Sequence, residues 1–197
     1  MTKTAFSNFP ASTGFKLLGL ASTAVVAGIA LTGCTALGFE SKYDKTAKHE
    51  FSTGSEGKEK AVIPAWVPDQ ASELKEIQRT TGNERILSMK YAGTLPGSCV
   101  AIGTTGKPTN AELAEGLAHE DGVKAADISD LVAKQYQTPL LSADWWPTGQ
   151  ENKSTHLCGK WWVSKDAGAL YAYSPESQNI AEPVLAEQAA LQRESAK

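Results

Sequence analysis

Residues 17–39 run for twenty-three positions without a single charge. A stretch of that length either crosses a bilayer, for which about twenty apolar residues suffice, or is removed as a targeting segment before the chain folds. Either way it contributes nothing to a water-soluble core, so any folded domain lies downstream of it. Lys3 and Lys16 precede the run and no acid does. A basic start, an apolar middle and small residues at the end form a secretory signal. Gly19, Gly28 and Gly33, with many Ala and Thr, keep the run weakly hydrophobic. An uncleaved membrane anchor is the competing reading. Both leave the two lysines inside and the rest of the chain outside.

The end of the run is more specific. Leu31, Thr32, Gly33 and Cys34 resemble the lipobox of bacterial lipoproteins. That resemblance implies a diacylglyceryl group on the Cys34 thiol, cleavage before Cys34, and a lipid-anchored mature chain on the extracytoplasmic face of the cell membrane. Residues 1–33 are then the signal peptide. Two acyl chains hold a protein durably, where one binds only marginally. All twenty-two acids and seventeen of the nineteen bases follow Cys34, a net charge of 17 − 22 = −5. That balance argues against a nucleic-acid partner.

After Cys34 the chain is polar, charged and nearly free of aliphatic residues until Ala61. Such a stretch buries too little apolar surface to offset its ordering entropy. Residues 34–60 therefore read as the lipidated Cys and a flexible tether, with His49 solvated in it. Apolar residues recur from Ala61 onward, and residues 61–177 are the size of one ordinary domain. That domain has no Phe; its aromatics are five Trp and four Tyr. Residues 178–197 read as a partly helical tail, with Pro183 suited to a first helical turn and Val184 and Leu191 on one thin apolar stripe.

The domain reads as α+β: a small antiparallel sheet with two helices packed on one side. Leu87, Met89 and Tyr91 alternate as a half-buried strand. The "ELKEIQRT" segment before it fits a partner strand or a short helix, and "SCVAI" fits a central strand. Thr109 or Asn110 caps a helix carrying Leu113 and Leu117, and Ile128, Leu131 and Val132 mark another. The "THLCGKWWVS" and "ALYAYSP" segments form a hairpin. Gly168 suits the last place of a three-residue loop, where positive φ is required.

Cys99 and Cys158 are the only other cysteines. In an oxidising compartment they form a disulfide. The same residues support a second reading, a thiol-dependent enzyme using Cys158 or Cys99 with His156 or His119. His156 and Cys158 share a face of a strand. No spacing of Cys and His suits a structural zinc site, and no cofactor or metal is implied. No P-loop, nucleophile elbow or paired Rossmann glycines occur.

Adjacent strand residues face opposite ways, so Trp161 and Trp162 cannot both enter one core. Trp161 groups with Leu157 and Val163. Trp162 groups with Cys158, Lys160 and Ser164. A three-residue hairpin loop sets Tyr171 and Tyr173 beside Val163 and Trp161. A two-residue loop sets them beside Ser164 and Trp162, and produces an exposed Trp–Tyr strip. Trp145, Trp146, Trp162, Tyr171, Tyr173 and Asp144 are thus candidate ligand-binding residues for a glycan, a peptide or a cell-envelope protein. The lipobox, the polar spacer, "PAWVPDQAS", "DWWP" and "CGKWW" together resemble small uncharacterised lipoproteins of high-GC Gram-positive bacteria. That family lends no catalytic residues. The expectation is a non-enzymatic binding or structural module of the envelope, tethered to the membrane through Cys34.

Overall fold

In a computed structural model, Tyr43 and residues 45–136 and 139–196 are described. The signal peptide expected over residues 1–33 and the expected lipidation site at Cys34 lie outside them. Seven antiparallel strands form one sheet in the order β1-β2-β3-β7-β6-β5-β4. The strands are β1 (Thr46–Thr53), β2 (Ser72–Arg79), β3 (Arg85–Lys90), β4 (Cys99–Ala101), β5 (His156–Cys158), β6 (Trp161–Asp166) and β7 (Ala169–Ser174). Four α-helices accompany them: α1 (Gly54–Glu59), α2 (Asn110–Ala118), α3 (Ile128–Lys134) and α4 (Gln178–Ser195). The class is α+β, with one disulfide. No helix among the described residues is long and apolar enough to cross a membrane.

The central strands are covered on both faces, which two adjacent tryptophans demand. On one face Leu74, Leu87, Met89, Trp161, Val163, Leu170 and Ala172 pack under Phe51, Ile63 and Val67. On the other, Ile77, Ile86, Leu157, Trp162 and Tyr173 pack under Leu113 of α2 and Leu141. Trp161 and Trp162 are 0% and 2% exposed. The α2 helix starts as its sequence implies. Thr109 accepts from the Glu112 N–H and Glu112 accepts from the Thr109 N–H, a full capping box.

Several expectations are corrected. The tether does not reach residue 60, because residues 46–60 form β1 and α1 of the domain. An edge strand needs little apolar surface: Phe51 alone enters the core, while Lys48 and Glu50 stay outside. The domain therefore does contain a Phe. His49 is not simply solvated; it stacks on Phe51 with ring centroids 6.2 Å apart and lies opposite Glu76. The strand at Cys99 is at the sheet edge rather than its centre. The last helix begins at Gln178, so Pro183 sits inside it rather than in its first turn. Ala181 and Val184 are buried and Leu191 is 44% exposed, so only the first half docks.

The β6–β7 loop has two residues, not three. Asp166 pairs with Ala169, and Ala167 and Gly168 take φ of 47° and 85°, the left-handed values of a type I′ turn. Gly168 accepts this freely. Ala167 accepts it because packing on both faces dictates the register, with Trp162 opposite Tyr173 and Leu170 opposite Met89.

A buried ion cluster closes one end of the sheet. Arg79, Glu84 and Glu176 are 0%, 0% and 1% exposed. Arg79 Nη2 and Nε donate to Glu84 Oε2 at 2.9 and 3.3 Å, and Nη1 donates to the Tyr43 carbonyl at 3.1 Å. Glu84 Oε1 also accepts from the Leu140 and Leu141 N–H groups. Glu176 accepts from the Asn83, Glu84 and Ser177 N–H groups. A Cβ at Gly82 would stand 2.1 Å from Glu176 Oε2, so the β2–β3 turn needs glycine there. Burial raises the Glu84 carboxyl above its ordinary value, against the hydrogen bonds from Leu141, Arg79 and Leu140.

Two outcomes follow from these ties. Arg79→Met leaves two carboxylates buried without their cation and should lower the unfolding free energy by about 3–5 kcal/mol, measured by urea titration. Replacing both Cys99 and Cys158 by Ser opens a crosslink of sequence separation 59. It should destabilise the domain by about 4 kcal/mol on the chain-entropy model, and reductant should do the same to the native protein.

Candidate functional site

A cavity of about 550 Å³ opens on the face that Trp161 supports. It lies between the 61–66 segment, Arg85 at the start of β3, the loop before β4, the C-terminal end of α2 and the β5–β6 turn. Sites for small molecules occupy this size range.

One wall is fixed by covalent and backbone constraints. Cys99 and Cys158 pair directly across β4 and β5 and are disulfide-bonded. The turn that follows has Gly159 at φ 63°, and a Cβ there would stand 2.0 Å from Glu120 Oε2. That close approach lets Glu120 Oε2 accept from the Lys160 N–H at 3.1 Å while Oε1 meets Lys160 Nζ at 3.3 Å. The opposite wall is the 61–66 segment. The Ala61 N–H donates to the Lys58 carbonyl at 2.8 Å, and the Val62 and Ile63 N–H groups donate to the Gly57 carbonyl. Trp66 on this segment is half-buried and meets Trp161 edge-on, with ring centroids 6.3 Å apart.

Arg85 links the walls to the sheet. Its guanidinium carbon stands 5.2 Å from the Trp161 ring centre. Nη2 donates to the Val62 carbonyl and pairs with Glu76 Oε1. Glu76 lies opposite Leu87 in the β2–β3 ladder, which puts Arg85 on its diagonal. Glu76 is 1% exposed. Burial pushes its carboxyl up to about 7, although the Arg85 charge and hydrogen bond pull it down. Hydrogen-bonding capacity here is unspent: Trp66 Nε1, Trp161 Nε1, Arg85 Nε and Glu76 Oε2 are buried and accept or donate no hydrogen bond. Buried groups left so cost about 1–3 kcal/mol each. Others lie elsewhere in the domain, but three of these belong to residues that line the cavity, Trp66, Arg85 and Trp161.

The residues singled out in the sequence fall elsewhere. The two-residue turn does bring Tyr173 beside Trp162, but the strip is not exposed. Trp162 and Tyr173 are 2% and 1% exposed, because Leu113, Leu141, Trp145 and Trp146 cover them. Trp146 packs edge-on to both Tyr171 and Tyr173, at 5.9 and 6.4 Å. Only Trp145, Trp146 and Tyr171, each half-buried, and exposed Asp144 remain reachable. The thiol reading is also corrected. Both sulfurs are held in the disulfide, so among the described residues His156 and His119 have no free cysteine thiol to activate. His156 Nδ1 instead meets Thr155 Oγ1 at 2.9 Å. Among the described residues no group of three or more His, Cys, Asp and Glu is placed to hold a metal.

Glu76, Arg85 and Glu120 were not marked by any motif, and Trp66 and Lys160 lie in the "PAWVPDQAS" and "CGKWW" stretches without being singled out as site residues. Phase was the available signal. Glu76 alternates with Leu74, and Arg85 alternates with Leu87 and Met89, so both are charges at core positions of strands. Comparison with known proteins brings no match: no family model, no curated protein and no solved structure matches the chain.

The Glu76 carboxyl gives the domain a pH signature. Its folded pKa lies above the ordinary 4.5, so the protonated form is the one that folding favours. Its stabilisation is complete below about pH 4.5 and is lost as pH rises through about 7. Glu84 adds a shift of the same sign. The His49 imidazole, lowered by burial and by the Arg85 charge, acts in the opposite sense, and the large Glu76 shift outweighs it, so thermal unfolding between pH 4.5 and 8 should show a midpoint that falls with pH. Glu76→Gln should flatten that fall by an amount on the order of 3 kcal/mol. A variant profile parallel to the native one would contradict the assignment.

Proposed function

We propose that the chain is a membrane-anchored extracytoplasmic lipoprotein whose single domain is a binding module of the cell envelope. The anchor reading rests on the uncharged run that ends at Leu31, Thr32, Gly33 and Cys34. A disulfide at Cys99 and Cys158 suits an exported protein. The observation that carries the binding role is the Arg85–Trp66–Trp161 cavity: it has a rigid wall, an aromatic wall and buried polar atoms without partners. Strong pKa perturbation by burial beside a cleft is a feature of functional sites. With both sulfurs bonded, neither Cys99 nor Cys158 carries a free thiol. A binding role accounts for the cleft without one.

The anchor is tested by metabolic labelling of cells that make the full chain. With radiolabelled palmitate, the native protein should carry label and sediment with membranes. Cys34→Ala should carry none and retain its first thirty-three residues. Label on the Cys34→Ala protein would overturn lipidation at this residue. Membrane sedimentation of an unlabelled native protein would favour the uncleaved helical anchor instead.

A further inference from the structure

We propose that the cavity is a saccharide site, taking a neutral, hydroxyl-rich ligand with a ring face against Trp66 and its hydroxyls among Arg85, Lys160, Glu120 and Asp121. This rests on the binding role above and names its ligand class. Charge is the first argument. Arg85 already meets Glu76, and Lys160 already meets Glu120. An anionic ligand would have to break one of these pairs and leave a buried or half-buried carboxylate alone. A neutral ligand leaves both intact.

The second argument is the kind of hydrogen bonding on offer. Arg85 and Lys160 bring donors to the cavity lining, while Glu120 and Asp121 bring acceptors. Carboxylates only accept and ammonium groups only donate. A hydroxyl does both, so one repeated group on a ligand answers both kinds of group on the lining.

The third argument is the apolar surface. Trp66, Pro64 and Pro96 line the same cavity as the charged groups. A sugar ring carries apolar C–H faces and polar edges, and an aromatic plane flanked by hydrogen-bonding groups complements that pattern. The disulfide and the Gly159 turn keep the opposite wall in place, which lowers the ordering cost of binding.

The test uses the full chain, labelled with ¹⁵N at the indole nitrogens, in a polyoxyethylene detergent that carries no sugar headgroup. The five tryptophans give five indole N–H signals, assigned by single Trp→Phe variants. Probes are N-acetylglucosamine, trehalose and maltotriose, with inorganic phosphate, glucose 6-phosphate and glycylglycine as the ionic comparators. A neutral sugar should shift the Trp66 and Trp161 signals in a saturable way and leave Trp145, Trp146 and Trp162 in place. Trp66→Ala should weaken that binding roughly tenfold or more, while the other four signals stay dispersed and report an intact fold. Trp66→Phe, which keeps an aromatic face and loses the N–H, should fall between the two.

Saturation by phosphate, glucose 6-phosphate or glycylglycine but by no neutral sugar would overturn the saccharide class and leave the binding role standing. Sugar shifts confined to Trp145 and Trp146 would overturn this cavity as the site. Silence at Trp66 and Trp161 with every probe would overturn the saccharide proposal and remove the support the cavity lends to a binding role.

Discussion

The Arg79 guanidinium has no exposed surface, yet five segments of the chain converge on it or on its carboxylate partners. They are Tyr43 ahead of β1, the end of β2, the β2–β3 turn, the 140–141 backbone and the junction of β7 with α4. These segments are far apart in sequence, with Glu84 and Glu176 separated by ninety-two positions. An ion cluster of this kind is not automatically stabilising relative to an apolar replacement. Its effect is conditional: once the strands are in place, every carboxylate oxygen has donors, and any other arrangement strands a charge in the interior. The cluster therefore selects one closure of the sheet among several that hydrophobic packing alone would accept.

Packing on two faces is the second constraint, and it was partly legible. The doublet "WW" in a strand sends its two tryptophans to opposite faces, which put Trp161 in a core and left the face of Trp162 open to solvent or to a cover. That reasoning correctly separated Trp161 from Trp162, and the alternating patterns of β3, β6 and β7 marked strands that exist. It faltered at the cover. Nothing in the pattern of "SADWWPTGQ" says that it folds back over Trp162, because a covering segment without regular structure has no period to read. The hairpin turn shows the same limit. Local preference favoured a longer loop that spares Ala167 a positive φ, and contacts distant in sequence outweighed it.

The first strand was illegible for a different reason. Composition measures how much apolar surface a segment can bury, and residues 46–53 can bury little. An edge strand is held mainly by its backbone ladder, here seven paired positions between β1 and β2, to which side-chain hydropathy is blind. Phe51 was the one available hint. The disulfide lay at the other extreme, since an even pair of cysteines in a chain read as exported leaves little choice. Its place in the ladder adds what the count could not: it ties an edge strand of three residues to the sheet, and so braces the wall of the cavity.

The β2–β3 pair carries two Arg–Glu contacts, and their difference separates structure from function. Arg79 and Glu84 are sealed, and both Glu84 oxygens are hydrogen-bonded. Arg85 and Glu76 use the same chemistry on the opposite face of the same strands. There the Arg85 side chain keeps 17% exposure, a cavity adjoins it, and Glu76 Oε2 and Arg85 Nε find no partner. A fold that satisfies one buried ion pair so fully is capable of satisfying the other. The second pair is left short of partners only where the wall opens, beside two indoles in the same condition. Unspent hydrogen bonds in a protein interior are unfavourable wherever they occur, and here Trp66, Trp161 and Arg85, which carry three of them, also line an open cavity, the one place where a molecule from outside the chain can approach such groups.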